Sequence, residues 1–372
     1  MPPLSRREFV SLAVASTVVS RVASPFARRR GPRAAALTAG DVVERIKQHI
    51  GVSWNAGTAV DTFKTGGPST AVTGIVTTSM ATLDVLQRAA AAGANFVITA
   101  APTFYSRADA RSLPVRGAFG AGGARGARRG GGPGAGRAEL AARGEQIAHA
   151  SGPGTGASAA MPPVPPLPAS VVPPPSRGSF GAAPAATPAP DRVYAGKNAF
   201  IDAHALAIFR LSEHWNARKP DPRAVGLAAA AGWTRYAVGG DALRYDVPPT
   251  RLDALASHLK TSLGIRGGMR AIGKPETTVR RIGLLPGLTA IAAAVAMMPT
   301  VDVIVAGEVV EWETPTYVQD VVFAGLEKGF ISIGRVVDEA QGMQVCTEWL
   351  RALVPEVPVR FIPAGDPYWR PL

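Results

Sequence analysis

The sequence is poor in cysteine and in long apolar runs, and each shortage excludes a class of protein. Its single cysteine, Cys346, permits neither an internal disulfide nor a cysteine-based zinc site. Cys346 also falls in a helical apolar pattern, which predicts a small buried hydrophobic residue rather than a nucleophile. The most apolar stretch, residues 282–299, is interrupted by Pro286 and Gly287, so we do not expect it to cross a membrane.

Acidic residues are scarce in two parts of the chain, and these parts account for most of its net charge of +13. Residues 1–34 contain seven arginines and one acidic residue, and residues 107–190 contain nine arginines and three acidic residues. The basic residues therefore lie in an N-terminal segment and a low-complexity segment rather than on one face of a folded domain. This distribution argues against specific binding to nucleic acid.

The N-terminal segment, residues 1–34, has the pattern of an export leader. The pair Arg6-Arg7 precedes an apolar run from Phe9 to Val19, and small residues follow this run. The run is shorter than the roughly 20 apolar residues of a membrane-spanning helix, but it suits the apolar region of a signal peptide. We therefore expect export by the twin-arginine route, to the periplasm or the extracellular space. The alternative is an amphipathic tail on a cytoplasmic protein.

Residues 107–190 are rich in glycine, proline and alanine, with runs such as residues 130–134 and 162–166. This composition cannot bury enough apolar surface to form a packed core, so we predict a disordered insertion. Asp109, close to its start, is expected to be solvated. Helix-like and strand-like patterns resume on both sides, which predicts one folded region made of residues 35–106 and 191–372.

The folded region contains two strand–helix–strand units, which are typical of parallel sheets. These units are Val72–Val76, Met80–Ala92 and Asn95–Thr99, then Val279–Leu285, Leu288–Met298 and Val301–Ala306. Helices are also predicted at residues 41–50, 198–205, 222–231, 249–263, 314–328 and 338–353, and strands at residues 206–211, 234–241, 243–247 and 330–333. The predicted fold class is α/β, with two similar lobes around a central cleft.

Ligand sites in open α/β sheets lie beyond the carboxyl ends of the strands. Four segments are expected there: Ala100-Ala101-Pro102, a polar loop at residues 211–216, Glu308 with Glu311 and Glu313, and residues 334–339. Histidine and carboxylates that meet at such an edge are typical of metal-dependent hydrolases, in which divalent ions activate water. Of five histidines, only His214 falls in these segments.

Several segments resemble the NIF-three-like family, whose members are also described as GTP cyclohydrolase I type 2 homologues or dinuclear-metal-centre hexameric proteins. The resemblance covers residues 38–106 and 191–372 and includes residues 60–64, 75–104 and 209–221. Its most specific parts are Gly307-Glu308 with Glu311-Trp312-Glu313-Thr314, and Gly342-Met343 with Glu348-Trp349-Leu350. The resemblance implies two Nif-like α/β lobes, a pair of metal ions in the cleft between them, and a homo-hexamer.

The resemblance also implies metal ligands that this chain keeps only in part. Ala100-Ala101 stands where the family has a histidine pair or His-Glu, and Arg335 stands where the family has a histidine after a glycine. The remaining candidate metal ligands are Glu213, His214 and Glu339. Because two metals need roughly two or three protein ligands each, we expect one weakly bound divalent metal or none. Arg335 would repel a cation and could pair with Glu339 instead.

Three functions are compatible with these residues. The chain could be a NIF-three-like protein with a degraded dinuclear metal site and little or no metal-dependent catalysis. It could instead be a metal-dependent hydrolase of a nucleotide or another phosphorylated small molecule, using Glu213, His214 and Glu339. The third alternative is an oligomeric binding module that uses the basic insertion to hold acidic partners. The residues identify neither a catalytic group nor a substrate.

Overall fold

The computed structural model of the chain describes residues 36–111 and 191–371. The expected export leader at residues 1–34 lies outside the described residues, and so do residues 112–190 of the expected disordered insertion. Residues 107–111 are described, and they pack against the folded region. Arg111 forms an ion pair of 2.7 Å with Asp202. The folded region therefore continues at least to residue 111, rather than ending at residue 106 as predicted.

The first lobe contains a five-stranded sheet. Its strands are β1 (Phe63–Thr65), β2 (Ile75–Thr78), β3 (Phe96–Thr99), β4 (Ala207–Arg210) and β11 (Val359–Phe361), in the order β1-β4-β3-β2-β11. The four strands from β4 to β11 are parallel, and β1 is antiparallel to β4. The sequence predicted the three central strands. It did not predict the two edge strands, β1 and β11.

The helices of the first lobe begin at residues that can cap them. These helices are α1 (Ala39–His49), α2 (Leu83–Ala91), α3 (Arg192–Ala203) and α4 (Glu213–Asn216). Thr38 and Asp41 form a reciprocal capping box at the start of α1, and Thr82 accepts a hydrogen bond at the start of α2. The polar loop predicted at residues 211–216 is wrong in part, because α4 forms one helical turn there.

The second lobe contains a six-stranded mixed sheet. Its strands are β5 (Ala237–Val238), β6 (Asp241–Arg251), β7 (Arg270–Ile272), β8 (Thr278–Leu288), β9 (Val303–Glu308) and β10 (Gly329–Ser332), in the order β5-β6-β8-β9-β10-β7. Strands β8, β9 and β10 are parallel, as the second strand–helix–strand unit predicted. The outer strands β5, β6 and β7 are antiparallel to their neighbours. The strand predicted at residues 234–241 begins instead as a 3₁₀ turn, Thr234–Tyr236.

The remaining helices cover this second sheet or join it to the first. They are α5 (Pro222–Ala230), α6 (Leu252–Ser262), α7 (Ile291–Met297), α8 (Thr314–Phe323) and α9 (Arg335–Leu353). Helix α8 ends before the predicted residue 328, and α9 begins before the predicted residue 338. In the part of the chain that the structure describes, no helix is long and apolar enough to cross a membrane.

Helix α9 connects the two lobes and thereby positions the cleft. Near its start, Val337 joins the core of the second lobe, whereas Met343, Cys346 and Leu350 join the core of the first lobe. Cys346 is fully buried, as its apolar pattern predicted, and burial raises the pKa of its thiol. The first turn of α9 therefore lies at the cleft, where the carboxyl ends of the central strands of the two sheets face each other.

Candidate functional site

Four segments meet at the carboxyl ends of the central strands, as the sequence predicted. Ala100 follows β3, Ser212 follows β4, Glu308 ends β9, and Arg335 begins α9 after β10. Parallel neighbours place these ends along one edge of each sheet. The cleft between the lobes is therefore lined by side chains that are far apart in the sequence.

Asp61 organises the second of these segments, the one that follows β4. Its buried carboxylate accepts hydrogen bonds from the backbone N–H groups of Ser212, Glu213 and His214, at 2.7, 3.1 and 2.9 Å. These are donors at the start of α4 that have no partner within the helix, so Asp61 acts as the cap of this short helix. The sequence does not indicate this role, because Asp61 lies about 150 residues before α4.

Both ring nitrogens of His214 form hydrogen bonds with the protein. Nδ1 donates a hydrogen bond of 2.6 Å to the Asp61 carboxylate, and Nε2 accepts a hydrogen bond of 2.8 Å from the backbone N–H of Asn55. The indole of Trp54 stacks on the imidazole, with 3.8 Å between ring centroids. His214 is therefore a buried side chain whose ring nitrogens both have protein partners. Metal binding requires a free imidazole lone pair.

Glu339 is a buried carboxylate near the start of α9, and two arginines flank it. Arg223 Nη1 lies 3.4 Å from Glu339 and Arg335 Nε lies 3.9 Å from it. Arg223 also donates to Asp221, at 2.8 Å. Burial lowers the pKa of Arg223, but hydrogen bonding to Asp221 and the charge of Glu339 outweigh it, so the pKa is raised overall. The predicted pairing of Arg335 with Glu339 exists, but Arg223 makes the closer contact.

Asp338 is the second buried carboxylate at this end of α9. It accepts a hydrogen bond of 2.7 Å from the backbone N–H of Gly287. Burial, followed by the charge of neighbouring Glu339, raises the pKa of Asp338 to about 7. Gly287 has a φ of +76°, and a β-carbon here would lie 2.3 Å from Arg223 Nη1. Because Gly287 has no side chain, the guanidinium of Arg223 has room to lie beside it and to reach Glu339.

Arg210 is a buried cation at the end of β4. Only 8% of its surface is exposed, and its Nε donates to the carbonyl of Ala100 at 3.2 Å. Burial lowers the pKa of Arg210, and the charge of Arg335 adds to this shift, whereas the negative charges of Asp109, Asp61 and Glu213 oppose it. Among the residues that the structure describes, no carboxylate lies within ion-pair distance of Arg210.

The expectation that Asp109 is solvated is wrong. Asp109 is 5% exposed, and its Oδ1 accepts a hydrogen bond of 2.7 Å from the N–H of Phe104. Lys197 is buried nearby and donates to the carbonyl of Thr103. Burial lowers the pKa of Lys197 to about 8, and the charge of Asp109 opposes that shift. These contacts fold residues 103–109 onto α3, which explains why the predicted boundary was too early.

The three candidate metal ligands do not fit a resident metal pair. Glu213 accepts a hydrogen bond of 2.6 Å from the Thr58 hydroxyl, His214 has both nitrogens engaged, and Glu339 faces two guanidinium groups. Within residues 36–111 and 191–371, no three or more His, Cys, Asp or Glu side chains form a group that could hold a metal ion. The assignment of a metal to these residues stays a prediction.

Comparison by sequence identifies no relative of this chain. No protein-family model matches it, and no curated protein matches it. Solved structures do match. The hypothetical protein SA1388 of Staphylococcus aureus is 14% identical with a TM-score of 0.54, and the match covers 90% of this chain and 100% of that chain.

Two further solved structures have the same architecture. A Bacillus cereus protein related to NIF3 is 12% identical with a TM-score of 0.51, over 90% of this chain and 99% of that chain. The protein ybgI, described as of unknown function, is 16% identical with a TM-score of 0.51, over 89% of this chain and 100% of that chain. At such low identity these likenesses define the fold alone. The chain is an α/β protein with two packed lobes, and its fold is NIF3-like.

Proposed function

We propose that this chain is a NIF3-like protein that works without a resident pair of metal ions and has little or no metal-dependent catalysis. The state of His214 carries the proposal. Its two ring nitrogens already bond to Asp61 and Asn55, at 2.6 and 2.8 Å. To bind a metal, His214 would have to give up one of these buried hydrogen bonds, at a cost of about 1–3 kcal/mol.

The charges around Glu339 support the same proposal. Arg223 and Arg335 carry permanent positive charges, because guanidinium is not deprotonated in proteins. Both lie within 4 Å of the Glu339 carboxylate. A divalent cation at Glu339 would be repelled by two neighbouring charges in a partly buried cleft. One weakly held ion at the exposed carboxylate of Glu213 is the most that this arrangement favours.

Elemental analysis of the purified full chain tests the proposal. We expect well below one transition-metal ion per chain, both as purified and after incubation with excess manganese, zinc or iron followed by desalting. His214→Ala should leave this content unchanged. Two ions per chain that survive desalting, and that are lost on His214→Ala or Glu339→Gln, would contradict the proposal.

We also propose that the chain forms a homo-oligomer, the hexamer that its sequence resemblance implies. Large apolar side chains on the second lobe support this proposal: Trp312, Phe323 and Leu326 are 80%, 93% and 54% exposed. Exposed aromatic and aliphatic groups of this kind often mark protein–protein contacts. Light scattering should give a mass several times 38.4 kDa, and Phe323→Lys should reduce it. A wild-type monomer would contradict the proposal.

Export by the twin-arginine route is a further proposal, and it rests on Arg6-Arg7 and the apolar run after them. Replacing both arginines with lysine should retain the protein inside a bacterium that has this route. Cell fractionation with an antibody against the chain measures the change. Equal export of the wild type and the double-lysine variant would contradict the proposal.

A further inference from the structure

A cavity of about 500 Å³ lies between the second sheet and helix α8. Strands β7 and β10 form one wall, and their register aligns Arg270 with Ser332 and Ile272 with Phe330. Aligned residues of neighbouring strands, and residues two apart in one strand, point to the same face of a sheet. All four side chains therefore share the face on which α8 packs. The volume is that of a small-molecule site, for which about 300–1,000 Å³ is usual.

The cavity is separate from the surroundings of Glu339. Its lining includes none of the side chains that contact Glu339 in the described part of the chain, namely Arg223, Arg335 and Asn216. It lies beside the carboxyl end of β10, and ligands of α/β sheets usually bind beyond such strand ends. An inference about this cavity therefore goes beyond the proposed function and does not depend on the metal content of the cleft.

The polarity of the lining changes along the cavity. Its apolar part is buried, since Phe330 and Val309 are 2% and 9% exposed and Ile272 is half-buried. Its charged part is at the surface, since the side chains of Arg270 and Glu311 are 63% and 68% exposed. A ligand that fits this cavity must place an apolar group inward and its charged groups at the mouth.

The two charges at the mouth are opposite and lie side by side. Arg270 Nη1 contacts the carboxylate of Glu311. An ion pair as exposed as this one contributes little to stability, so a ligand can replace it at small cost. The buried hydroxyl of Ser332 donates to the carbonyl of Gly307 at 3.4 Å, which is longer than the usual O–H···O distance of about 2.5–3.0 Å. This hydroxyl is therefore weakly engaged and can bond to a ligand instead.

We propose that this cavity binds a free α-amino acid with an apolar side chain. The carboxylate of the ligand pairs with Arg270, its ammonium pairs with Glu311, and its side chain enters the buried apolar part. Both charges of the ligand are attached to one carbon atom, so they can meet two protein charges that lie side by side. A plain carboxylate would bring its charge next to Glu311, and a plain amine would bring its charge next to Arg270. The two protein charges therefore select a zwitterion.

Isothermal titration of the full chain with L-leucine, L-phenylalanine and glycine tests this site. Leucine and phenylalanine should bind, and glycine should bind at least about tenfold more weakly than leucine, because it has no apolar group to bury. Isocaproate and isoamylamine, which are leucine without its ammonium and without its carboxylate, should also bind at least about tenfold more weakly. Failure of both leucine and phenylalanine to bind would overturn the proposal, and so would glycine or isocaproate that binds as tightly as leucine.

Two exposed substitutions assign the charges of the ligand. Arg270→Gln and Glu311→Gln should each weaken leucine binding about tenfold or more, and neither should disturb folding because both side chains are exposed. Glu311→Gln should bind isocaproate more tightly than the wild type does, because the repelling carboxylate is gone. Arg270→Gln should bind isoamylamine more tightly for the corresponding reason. Leucine affinity that is unchanged in either variant would contradict the proposal.

The pair Arg251 and Asp253 provides the matched control, since it is also exposed and does not line the cavity. Arg251→Gln and Asp253→Asn should leave leucine affinity unchanged. Losses equal to those in Arg270→Gln and Glu311→Gln would overturn the proposal, because the effect would then be one of overall charge. Metal content measured on the same samples keeps the two proposals separate: two metals per chain with intact leucine binding would contradict the proposed function alone.

Discussion

Arg223 is the residue on which the buried acids of the cleft depend. Its guanidinium contacts Asp221 and Glu339, and its side chain is only 12% exposed. Arg223→Met should lower the free energy of unfolding by about 3–5 kcal/mol, because it leaves buried carboxylates without a partner. Urea denaturation measures the change. Arg280→Met, which breaks an exposed pair with Asp246, should cost less than about 1 kcal/mol; similar losses in both variants would contradict this account.

Asp338 should make stability depend on pH. Its pKa is raised from the ordinary 3.8 to about 7, first by burial and then by Glu339. The native state therefore keeps a proton that the unfolded chain releases, so this contribution to the free energy of unfolding is present below pH 4 and declines as pH rises towards 7. Asp338→Asn should flatten that decline in urea denaturation between these values. An unchanged slope would show that Asp338 ionises normally.

The residue types and their positions in the chain predicted several side chains that line the cleft. They did not predict the hydrogen-bond and ion-pair partners of those side chains. Glu213, His214, Arg335 and Glu339 lie at strand ends, where the polar segments of the sequence indicated. The role of Asp61 was missed, because it acts on backbone N–H groups about 150 residues away. An imidazole in a polar segment looks like a possible ligand, and only the three-dimensional structure shows that both its nitrogens are engaged.

At the scale of elements, the contact between α5 and α9 depends on a glycine. A β-carbon at Gly226 would lie 2.4 Å from the carbonyl oxygen of Gln341, which is backbone and cannot easily move. Gly226→Ala should therefore lower the free energy of unfolding by about 1–3 kcal/mol. Gly196→Ala is the matched control, because Gly196 lies inside α3 with open space around it.

Denaturation of both glycine variants distinguishes packing from helix propensity. Alanine in place of glycine inside an exposed helix should raise stability by about 0.5–1 kcal/mol, so Gly196→Ala should be more stable than wild type. Opposite signs for the two variants would establish close packing of α5 on α9. A stabilising Gly226→Ala would contradict close packing of α5 on α9.

Helices and strands with a clear periodic pattern of apolar residues could be predicted from the sequence, whereas the short edge strands could not. The two strand–helix–strand units were recognised because buried parallel strands and amphipathic helices differ clearly in pattern. Strands β1, β7 and β11 contain three residues each. A strand of three residues is too short for an alternating pattern of apolar and polar residues to be recognised in the sequence. Their pairing is also set by distant partners, as when Val359 aligns with Ile75.

At the scale of the whole molecule, the chain passes between the lobes more than once. Helix α9 runs from the second lobe to the first, and β11 then completes the first sheet. The last residues return to the second lobe, where a β-carbon at Gly267 would lie 2.7 Å from the backbone of Trp369. The two lobes are therefore joined by segments of chain that pass from one lobe to the other, as well as by packing. These connections fix the position of one side of the cleft relative to the other.

Asp366 attaches this C-terminal segment to the loop between α6 and β7. Its Oδ2 accepts hydrogen bonds from the N–H groups of Arg266, Gly267 and Gly268, at 2.9, 2.9 and 3.0 Å. Burial raises the pKa of Asp366, but these backbone hydrogen bonds lower it more, so the pKa lies below its usual value. The stabilisation is therefore present above the ordinary pKa of an aspartate and is lost as pH falls through the native value.

Asp366→Ala should lower the free energy of unfolding by about 1–2 kcal/mol, because three half-buried N–H donors lose their acceptor. It should also release the C-terminal segment, so limited proteolysis should cleave after β11 in the variant and not in the wild type, while cleavage within the predicted insertion should be the same in both. Asp84→Ala, which breaks an exposed pair with Arg88, should change neither the cleavage pattern nor stability by more than about 1 kcal/mol. If the segment resists proteolysis equally in both variants, the lobes are joined by packing and α9 rather than by Asp366.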